Sequence, residues 1–189
     1  MSLEGREIVL GVTGGIAAYK AAALASLLVQ RGAGVTAVLT RSSLRFVGAA
    51  TFAALTGRPV ATRTFDSARF PLGAHIELAA RADLVVVAPA TAGFVAAAAH
   101  GTADDLLTTL VLCAECPVIV APAMNAAMWE KPAVQRNVAQ VIADGMRVVE
   151  PGSGWLSCRR QGTGRMAEPD QIAAAIEAVL ATMPPQPAS

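Results

Sequence analysis

The sequence predicts an α/β protein built as a three-layer, doubly wound parallel sheet with helices on both faces. Apolar runs of strand length alternate with helical stretches along the 189-residue chain. Such alternation is typical of right-handed β-α-β crossovers. The composition is 54% hydrophobic but only 4% aromatic. Small apolar side chains let helices approach a sheet closely, which favours this layered core.

The strands are predicted from short apolar runs that glycine or proline ends. The third run, DLVVVAPA, is apolar at nearly every position, as in strands that helices cover on both faces. In chain order, the predicted strands are residues 7–12, 34–40, 83–90, 117–123 and 147–150.

The helices are predicted from stretches that keep a helical apolar period and stop at helix breakers. The first begins after Gly14-Gly15 and ends before Gly32, and the second stops at Gly57-Arg58-Pro59. We expect residues 1–182 to form one domain and residues 183–189, MPPQPAS, to form a Pro-rich tail with no second domain after it. In chain order, the predicted helices are residues 16–30, 44–55, a short one beginning at His75, 91–100, 103–115, 132–144 and 170–182.

Charge and hydropathy exclude several classes of function. The net charge is +1 without a basic run, so we expect no nucleic-acid partner. No apolar stretch reaches membrane-spanning length and no leader pattern precedes the first strand, so we expect a cytoplasmic protein without a membrane partner. Three cysteines argue against a disulfide framework. We expect Cys113 and Cys116 to be buried structural thiols, and we predict no metal site.

Glycines follow the first strand in the segment GVTGGIAAYK, residues 11–20. Glycines before a helix N-terminus let backbone N–H groups reach a phosphate. The spacing is not G-x-G-x-x-G, no acidic residue ends the second strand, and no G-K-[ST] follows. The second strand ends instead in hydroxyl residues, Thr40 and Ser42. This combination favours a phosphate monoester such as FMN over a dinucleotide.

Taken together, several segments resemble the homo-oligomeric flavin-containing cysteine decarboxylases, which include phosphopantothenoylcysteine decarboxylase and the peptidyl-cysteine decarboxylases. The resemblance covers nearly the whole chain, in order, and implies a Rossmann-like flavoprotein with FMN as cofactor. The PAMN-x-x-MW and H-I-E-L motifs are the most specific to the family. The matching segments are residues 11–20, TRSSLRF at 40–46, HIELAARADLVVVAPATA at 75–92, GTADDLLTT at 101–109, PAMNAAMW at 122–129 and GWLSCRRQGTGRM at 154–166.

The resemblance also implies roles for individual residues. His75 corresponds to the active-site histidine, Cys158 to the cysteine of a flap, and Asn125 to the asparagine that holds the substrate carboxylate. We further assign Met124 and Arg165 to substrate binding. The family forms trimers, often four to a dodecamer, with flavin at the subunit contacts. The residues expected to bind FMN are Gly14, Gly15, Ile16, Thr40, Ser42, Thr91, Ala92, Gly93 and Ala123.

The chemistry implied by the resemblance explains these residue types. A cysteine carboxylate leaves reluctantly, whereas oxidation at Cβ to a thioaldehyde provides an electron sink, with the flavin taking the hydride. His75 would take the thiol proton and Asn125 would orient the carboxylate. Cys158 would then protonate the enethiolate carbon as the hydride returns. Without that last step, the product stays an enethiol.

Three rival functions remain open. A zinc deaminase would use His75-x-Glu77 with Cys113-x-x-Cys116, but Leu112 stands where that motif has proline. A flavin prenyltransferase should lack PAMN and the flap cysteine. A non-catalytic FMN-binding regulatory subunit should have lost catalytic positions that this chain keeps.

The sequence supports two substrates almost equally, phosphopantothenoylcysteine and a peptide that ends in cysteine. Cys158 and G-T-G-R-M favour phosphopantothenoylcysteine. Arg159-Arg160 stands where the family has Gly-Asp, and bacterial phosphopantothenoylcysteine decarboxylases are usually fused to a synthetase domain that this chain lacks. We therefore narrowly expect oxidative decarboxylation of the C-terminal cysteine of a ribosomal peptide precursor. A chain cut from a longer protein would reverse that preference.

Overall fold

A five-stranded parallel sheet lies at the centre of the protein. The structure, a computed structural model, describes residues 2–155, 159 and 161–183. The strand order is β2-β1-β3-β4-β5, so the chain extends in opposite directions from β1. This confirms the predicted doubly wound sheet and creates a crevice at the carboxyl ends of β1 and β3. The strands are β1 (Glu7–Val12), β2 (Gly34–Leu39), β3 (Leu84–Ala90), β4 (Val118–Pro122) and β5 (Arg147–Val148).

Helices cover both faces of the sheet because successive strand residues point to opposite sides. In β1, Leu10 belongs to the apolar cluster formed with α1, α2 and α8, whereas Val9 belongs to the cluster formed with α3, α4, α5 and α7. The helices are α1 (Ala18–Gln30), α2 (Ala49–Thr56), α3 (Ala74–Arg81), α4 (Ala92–His100), α5 (Leu106–Cys113), α6 (Ala126–Trp129), α7 (Pro132–Ala143) and α8 (Pro169–Leu180).

Besides the short helix α6, which was not predicted, two elements differ from the sequence-based expectation. Residues 44–55 do not form one helix: a 3-10 turn, Ser43–Arg45, precedes α2. The interruption occurs because Gly48 adopts an extended conformation before the first turn of α2. The second difference is an antiparallel hairpin of β6 (Gly152–Trp155) and β7 (Gln161–Arg165). Its glycines and hydroxyl residues carry no apolar period, so it was not predicted.

The two cysteines of the C-x-x-C pair have different surroundings. Cys113 ends α5 and is exposed, so the expectation of a buried thiol is wrong there. Cys116 is half-buried, and burial raises the pKa of its thiol to about 11. Within the described ranges, no three His, Cys, Asp or Glu side chains cluster as metal ligands would.

Two further expectations concern the chain as a whole. No helix within residues 2–155 or 161–183 has both the length and the apolar character needed to cross a bilayer. Of the predicted tail, residues 183–189, all but Met183 lie outside the described residues.

Candidate functional site

The loops after β1 and β3 are joined by the hydroxyl group of Thr13. This buried group donates a hydrogen bond to the carbonyl oxygen of Pro89 at 2.7 Å. It also accepts one from the backbone N–H of Thr91 at 3.0 Å. Both loops are thereby fixed where the strand order reverses, which is the edge at which such sheets bind ligands.

The N-terminus of α1 opens towards this edge. No described side chain caps α1, and Ala17 occupies the N-cap position. Gly14 packs so closely against Ser42 that a Cβ atom on the glycine would lie 2.2 Å from the Ser42 Cβ. The N–H groups of Ala18 and Lys20 donate to the carbonyl oxygens of Gly15 and Ala17, so the first turn of α1 is closed by its own backbone. The positive end of the helix dipole still attracts anions, and phosphate above all. The first loop therefore fits the phosphate of FMN.

A cavity of about 580 Å³ extends from this loop across the ends of β3 and β4. That volume is in the usual range for small-molecule sites. Backbone and methyl groups form much of one wall, which leaves room for a flat ring. Of the residues predicted from the sequence, the cavity brings together Gly14, Gly15, Ile16, Thr91, Ala92, Ala123, Met124, Asn125 and Arg165.

Asn125 presents its amide to the cavity from the start of α6. Its Oδ1 accepts a hydrogen bond from the backbone N–H of Ala127 at 2.8 Å and so caps the helix. This bond orients the side chain and leaves the amide NH2 group for a ligand. The NH2 group can donate a hydrogen bond to a carboxylate oxygen.

The hairpin is attached to the same wall by a backbone contact. The N–H of Met124 donates to the carbonyl oxygen of Gly164 at 2.9 Å. A Cβ atom on Gly164 would lie 2.4 Å from the Met124 carbonyl oxygen, and φ at Gly164 is +140°. Only glycine fits this contact without strain. Trp155 and Arg165, from the two strands of the hairpin, both line the cavity.

Three of the predicted FMN-binding residues do not line the cavity. Thr40 donates from its hydroxyl to the carbonyl oxygen of Val12 at 3.3 Å. Ser42 contacts Gly14, and Gly93 lies in the first turn of α4. Thr40 and Ser42 therefore support the loop after β1 on the side away from the cavity. The direct FMN contacts expected of Thr40, Ser42 and Gly93 stay predictions.

His75 lies outside the cavity of its own chain. It is the second residue of α3, on the sheet face opposite α1. Its Nδ1 is buried and has no hydrogen-bond partner among the residues that the structure describes. The neighbouring side chains of Leu72 and Ile76 are exposed. Cys158, the other predicted catalytic residue, lies outside the described residues.

Sequence reasoning missed a charged cluster at the cavity wall. The carboxylate of Glu168 lies 2.8 Å from the Nζ of Lys20 and 2.9 Å from the Nη2 of Arg165. The hydrogen bond from Lys20 is the main cause that lowers the pKa of Glu168. Lys20 and Glu168 are far apart in the sequence, so spacing could not have paired them. The other lining residues that were not predicted are Ala17, Tyr19, Lys20, Met128, Trp155, Gly164 and Met166.

Comparisons with known proteins give the same family. The family model described as "Flavoprotein" matches residues 1–181. The Bacillus subtilis "Coenzyme A biosynthesis bifunctional protein CoaBC" is 48% identical over 170 residues, which are 90% of this chain and 42% of that protein. The chain thus spans less than half the length of this curated relative.

Two solved structures extend the likeness to three dimensions. "FMN-dependent Cysteine Decarboxylases SpaF" is 38% identical with a TM-score of 0.82, over 96% of this chain and 98% of that one. A PPC decarboxylase cysteine-to-serine mutant, complexed with pantothenoylaminoethenethiol, is 29% identical with a TM-score of 0.81, over 92% and 97% of the two chains. The chain belongs to the flavoprotein family and, within it, to the FMN-dependent cysteine decarboxylases.

Proposed function

We propose that the chain decarboxylates phosphopantothenoylcysteine in coenzyme A biosynthesis, with FMN bound in the cavity at the ends of β1, β3 and β4. The observation that carries the proposal is the cavity itself. It joins the glycine loop at the positive end of α1 to an oriented amide, Asn125, across a wall of small residues. A cofactor phosphate fits at one end of this cavity and a substrate carboxylate at the other.

Sequence identity favours this substrate over the peptide expected from sequence alone. The relative named for coenzyme A biosynthesis is 48% identical, whereas SpaF is 38% identical. The chain corresponds to 42% of the bifunctional relative. The likeness to that relative therefore involves one part of it and does not depend on a synthetase region.

The chain's own residues would bind and orient the substrate. Bound FMN supplies the two-electron oxidation that makes loss of carbon dioxide feasible. Asn125 holds the carboxylate through neutral N–H donors, which stabilise the departing charge less than a cation would. His75 accepts the proton of the substrate thiol. Cys158 remains the proposed proton donor to the product carbon.

We propose that a second copy of the chain supplies His75. Within one chain, His75 lies away from the cavity. Exposed apolar side chains flank both places: Ile16 and Tyr19 by the cavity, Leu72 and Ile76 beside His75. Burying these surfaces against each other would bring the imidazole to the substrate and cover apolar area. Three copies joined by this head-to-tail contact can form a closed ring.

Mass spectrometry of the product tests the reaction. Purified protein with FMN is incubated separately with phosphopantothenoylcysteine and with a peptide that ends in cysteine. We expect the first substrate to lose about 44 Da, because the flavin returns its hydride and a proton is added with it, whereas oxidative decarboxylation alone would remove about 46 Da. His75→Asn should keep its yellow colour and lose turnover. Turnover of the peptide alone would overturn the substrate assignment.

A complementation experiment tests the shared site. His75→Asn and Asn125→Asp chains should each be inactive as pure assemblies. Chains mixed under denaturing conditions and refolded together should regain up to about a quarter of wild-type activity, because random assortment gives one interface in four both intact residues. Mixtures without activity would mean that His75 and Asn125 act within one chain, or that His75 has another role.

The second candidate is a peptidyl-cysteine decarboxylase. The likeness to SpaF over nearly the full length of both chains supports it. So does Arg159, an exposed residue between β6 and β7 where the resembled family has glycine. The two-substrate experiment distinguishes it from the first.

A further inference from the structure

One carboxylate connects two cations at the cavity wall. Lys20 belongs to α1, Arg165 is the last residue of β7, and Glu168 directly precedes α8. The same oxygen of Glu168, Oε1, contacts both the Nζ of Lys20 and the Nη2 of Arg165. These contacts tie the helix behind the cofactor loop to the hairpin and to the last helix.

Lys20 fixes the position of this carboxylate. Only 5% of Lys20 is exposed, and its Nζ also donates to the carbonyl oxygen of Met166 at 3.3 Å. A buried ammonium group requires a paired anion, because an isolated charge in the interior is costly. The buried end of the cluster therefore holds Glu168 still, and Glu168 in turn limits where the guanidinium of Arg165 can lie.

Arg165 keeps donors for a further ligand. Its side chain is 44% exposed and lines the cavity. Within the described part of the chain, Glu168 is the only carboxylate at ion-pair distance from it, and that contact uses a single nitrogen. With Lys20 and Arg165 positive and Glu168 negative, the cluster has a net charge of +1. An oriented guanidinium at a cationic wall suits a phosphate monoester, which it can bind through two parallel hydrogen bonds.

We infer that Glu168 is a positioning residue that holds Arg165 ready to bind the phosphate of the substrate; this rests on the proposed function. The cofactor also carries a phosphate monoester, but the loop at Gly14 and the N-terminus of α1 already provide a site for it. Glu168 acts through Arg165 and touches neither the substrate nor the cofactor. Its role is to restrict the guanidinium before the substrate arrives, so that less rotamer entropy is lost on binding.

The test compares ligands with and without phosphate. Wild type and Glu168→Gln, both loaded with FMN, are assayed with phosphopantothenoylcysteine and with the same compound lacking its phosphate. We expect KM for the phosphorylated substrate to rise by about 2- to 10-fold in Glu168→Gln, which corresponds to the cost of ordering one long side chain on binding. KM for the other substrate and kcat for both should change little. Equal increases for both substrates, or no increase, would refute the inference.

Direct binding separates this inference from the proposed function. Calorimetry with 4′-phosphopantothenate and with pantothenate needs no turnover. If wild type decarboxylates neither substrate but binds the phosphorylated probe more tightly, and Glu168→Gln reduces that preference, only the proposed function fails. If wild type binds both probes equally, the inference fails. A weaker FMN affinity in Glu168→Gln with an unchanged preference between the probes would assign Arg165 to the cofactor phosphate instead.

Two further variants control for folding. Glu168→Gln leaves Lys20 buried without its carboxylate, so it is repeated together with Lys20→Met, which removes the charge at similar volume. The double variant should fold as stably as wild type and still show the reduced phosphate preference. Asp170→Asn is the matched control, because Asp170 lies two positions further on and pairs with Arg31 at 3.5 Å while its side chain is 82% exposed. It should bind both probes as wild type does.

Discussion

Replacing Gly14 with alanine should weaken FMN binding through a clash between the loop after β1 and the loop after β2. The added Cβ would lie 2.2 Å from the Cβ of Ser42 and 2.9 Å from its carbonyl carbon. Ordinary contacts begin near 3.4 Å, so the loops must separate by roughly 1 Å, as overpacked sites do. Backbone strain is not the reason, because φ at Gly14 is not positive.

Neither side of this contact can move easily. On one side, Thr13 is bonded to the carbonyl oxygen of Pro89. On the other, the hydroxyl of buried Ser43 donates to the carbonyl oxygen of Thr40 at 2.8 Å. Overpacking of this kind costs about 1–3 kcal/mol, and if the bound state bears that cost, FMN affinity falls by about 5- to 150-fold.

Flavin fluorescence titration measures the affinity, and thermal unfolding of the apoprotein measures the cost to the fold. Gly15→Ala provides a graded comparison, because its Cβ would lie 3.7 Å from the nearest atom, in ordinary contact with Thr91. It should lose less affinity than Gly14→Ala. Gly48→Ala, with nothing within 4 Å, should bind FMN normally. Wild-type affinity and stability in Gly14→Ala would refute the steric argument.

Three other predictions follow from single contacts. Gly164→Ala should lower kcat/KM by about tenfold with FMN retained, because its Cβ would strike the Met124 carbonyl oxygen; an unchanged kcat/KM would mean that the hairpin docks elsewhere. Asn125→Asp should keep the helix cap and hence the Tm, yet lose at least about tenfold in kcat/KM through repulsion of the substrate carboxylate, whereas Asn125→Ala should also lose about 1 kcal/mol of stability. Iodoacetamide near pH 8 should alkylate Cys113 and spare Cys116 until the protein is denatured, because burial raises the pKa of the Cys116 thiol to about 11. Peptide mass spectrometry identifies the alkylated residue, and faster alkylation of Cys116 would contradict the argument.

The sheet and its ligand-binding edge could be predicted because their signals are local. A continuous apolar run such as DLVVVAPA predicts a strand covered on both faces, and β3 is buried at every position. Glycines and PAMN after such runs then lie at one edge of the sheet. Asn125 lines the cavity as expected because it lies three residues beyond the end of β4.

Other features had no local signal. The hairpin is stabilised by its backbone ladder and its contact with Met124, not by an apolar period. Lys20 and Glu168 meet only because α1 and α8 pack on the same face of the sheet. In the proposed assembly, His75 reaches a cavity through the contact between two copies, and spacing within one chain does not encode that contact.

The hydroxyl of Thr13 has a consequence for how the site is filled. It donates to Pro89 near the end of β3 and accepts from Thr91 two residues further on, so its single donor is already used before any ligand arrives. The crevice floor therefore keeps its width when empty, and little entropy is lost there when the isoalloxazine enters. In Thr13→Val, a methyl group replaces the hydroxyl and both hydrogen bonds are lost. The two segments would then have to be ordered when the flavin binds.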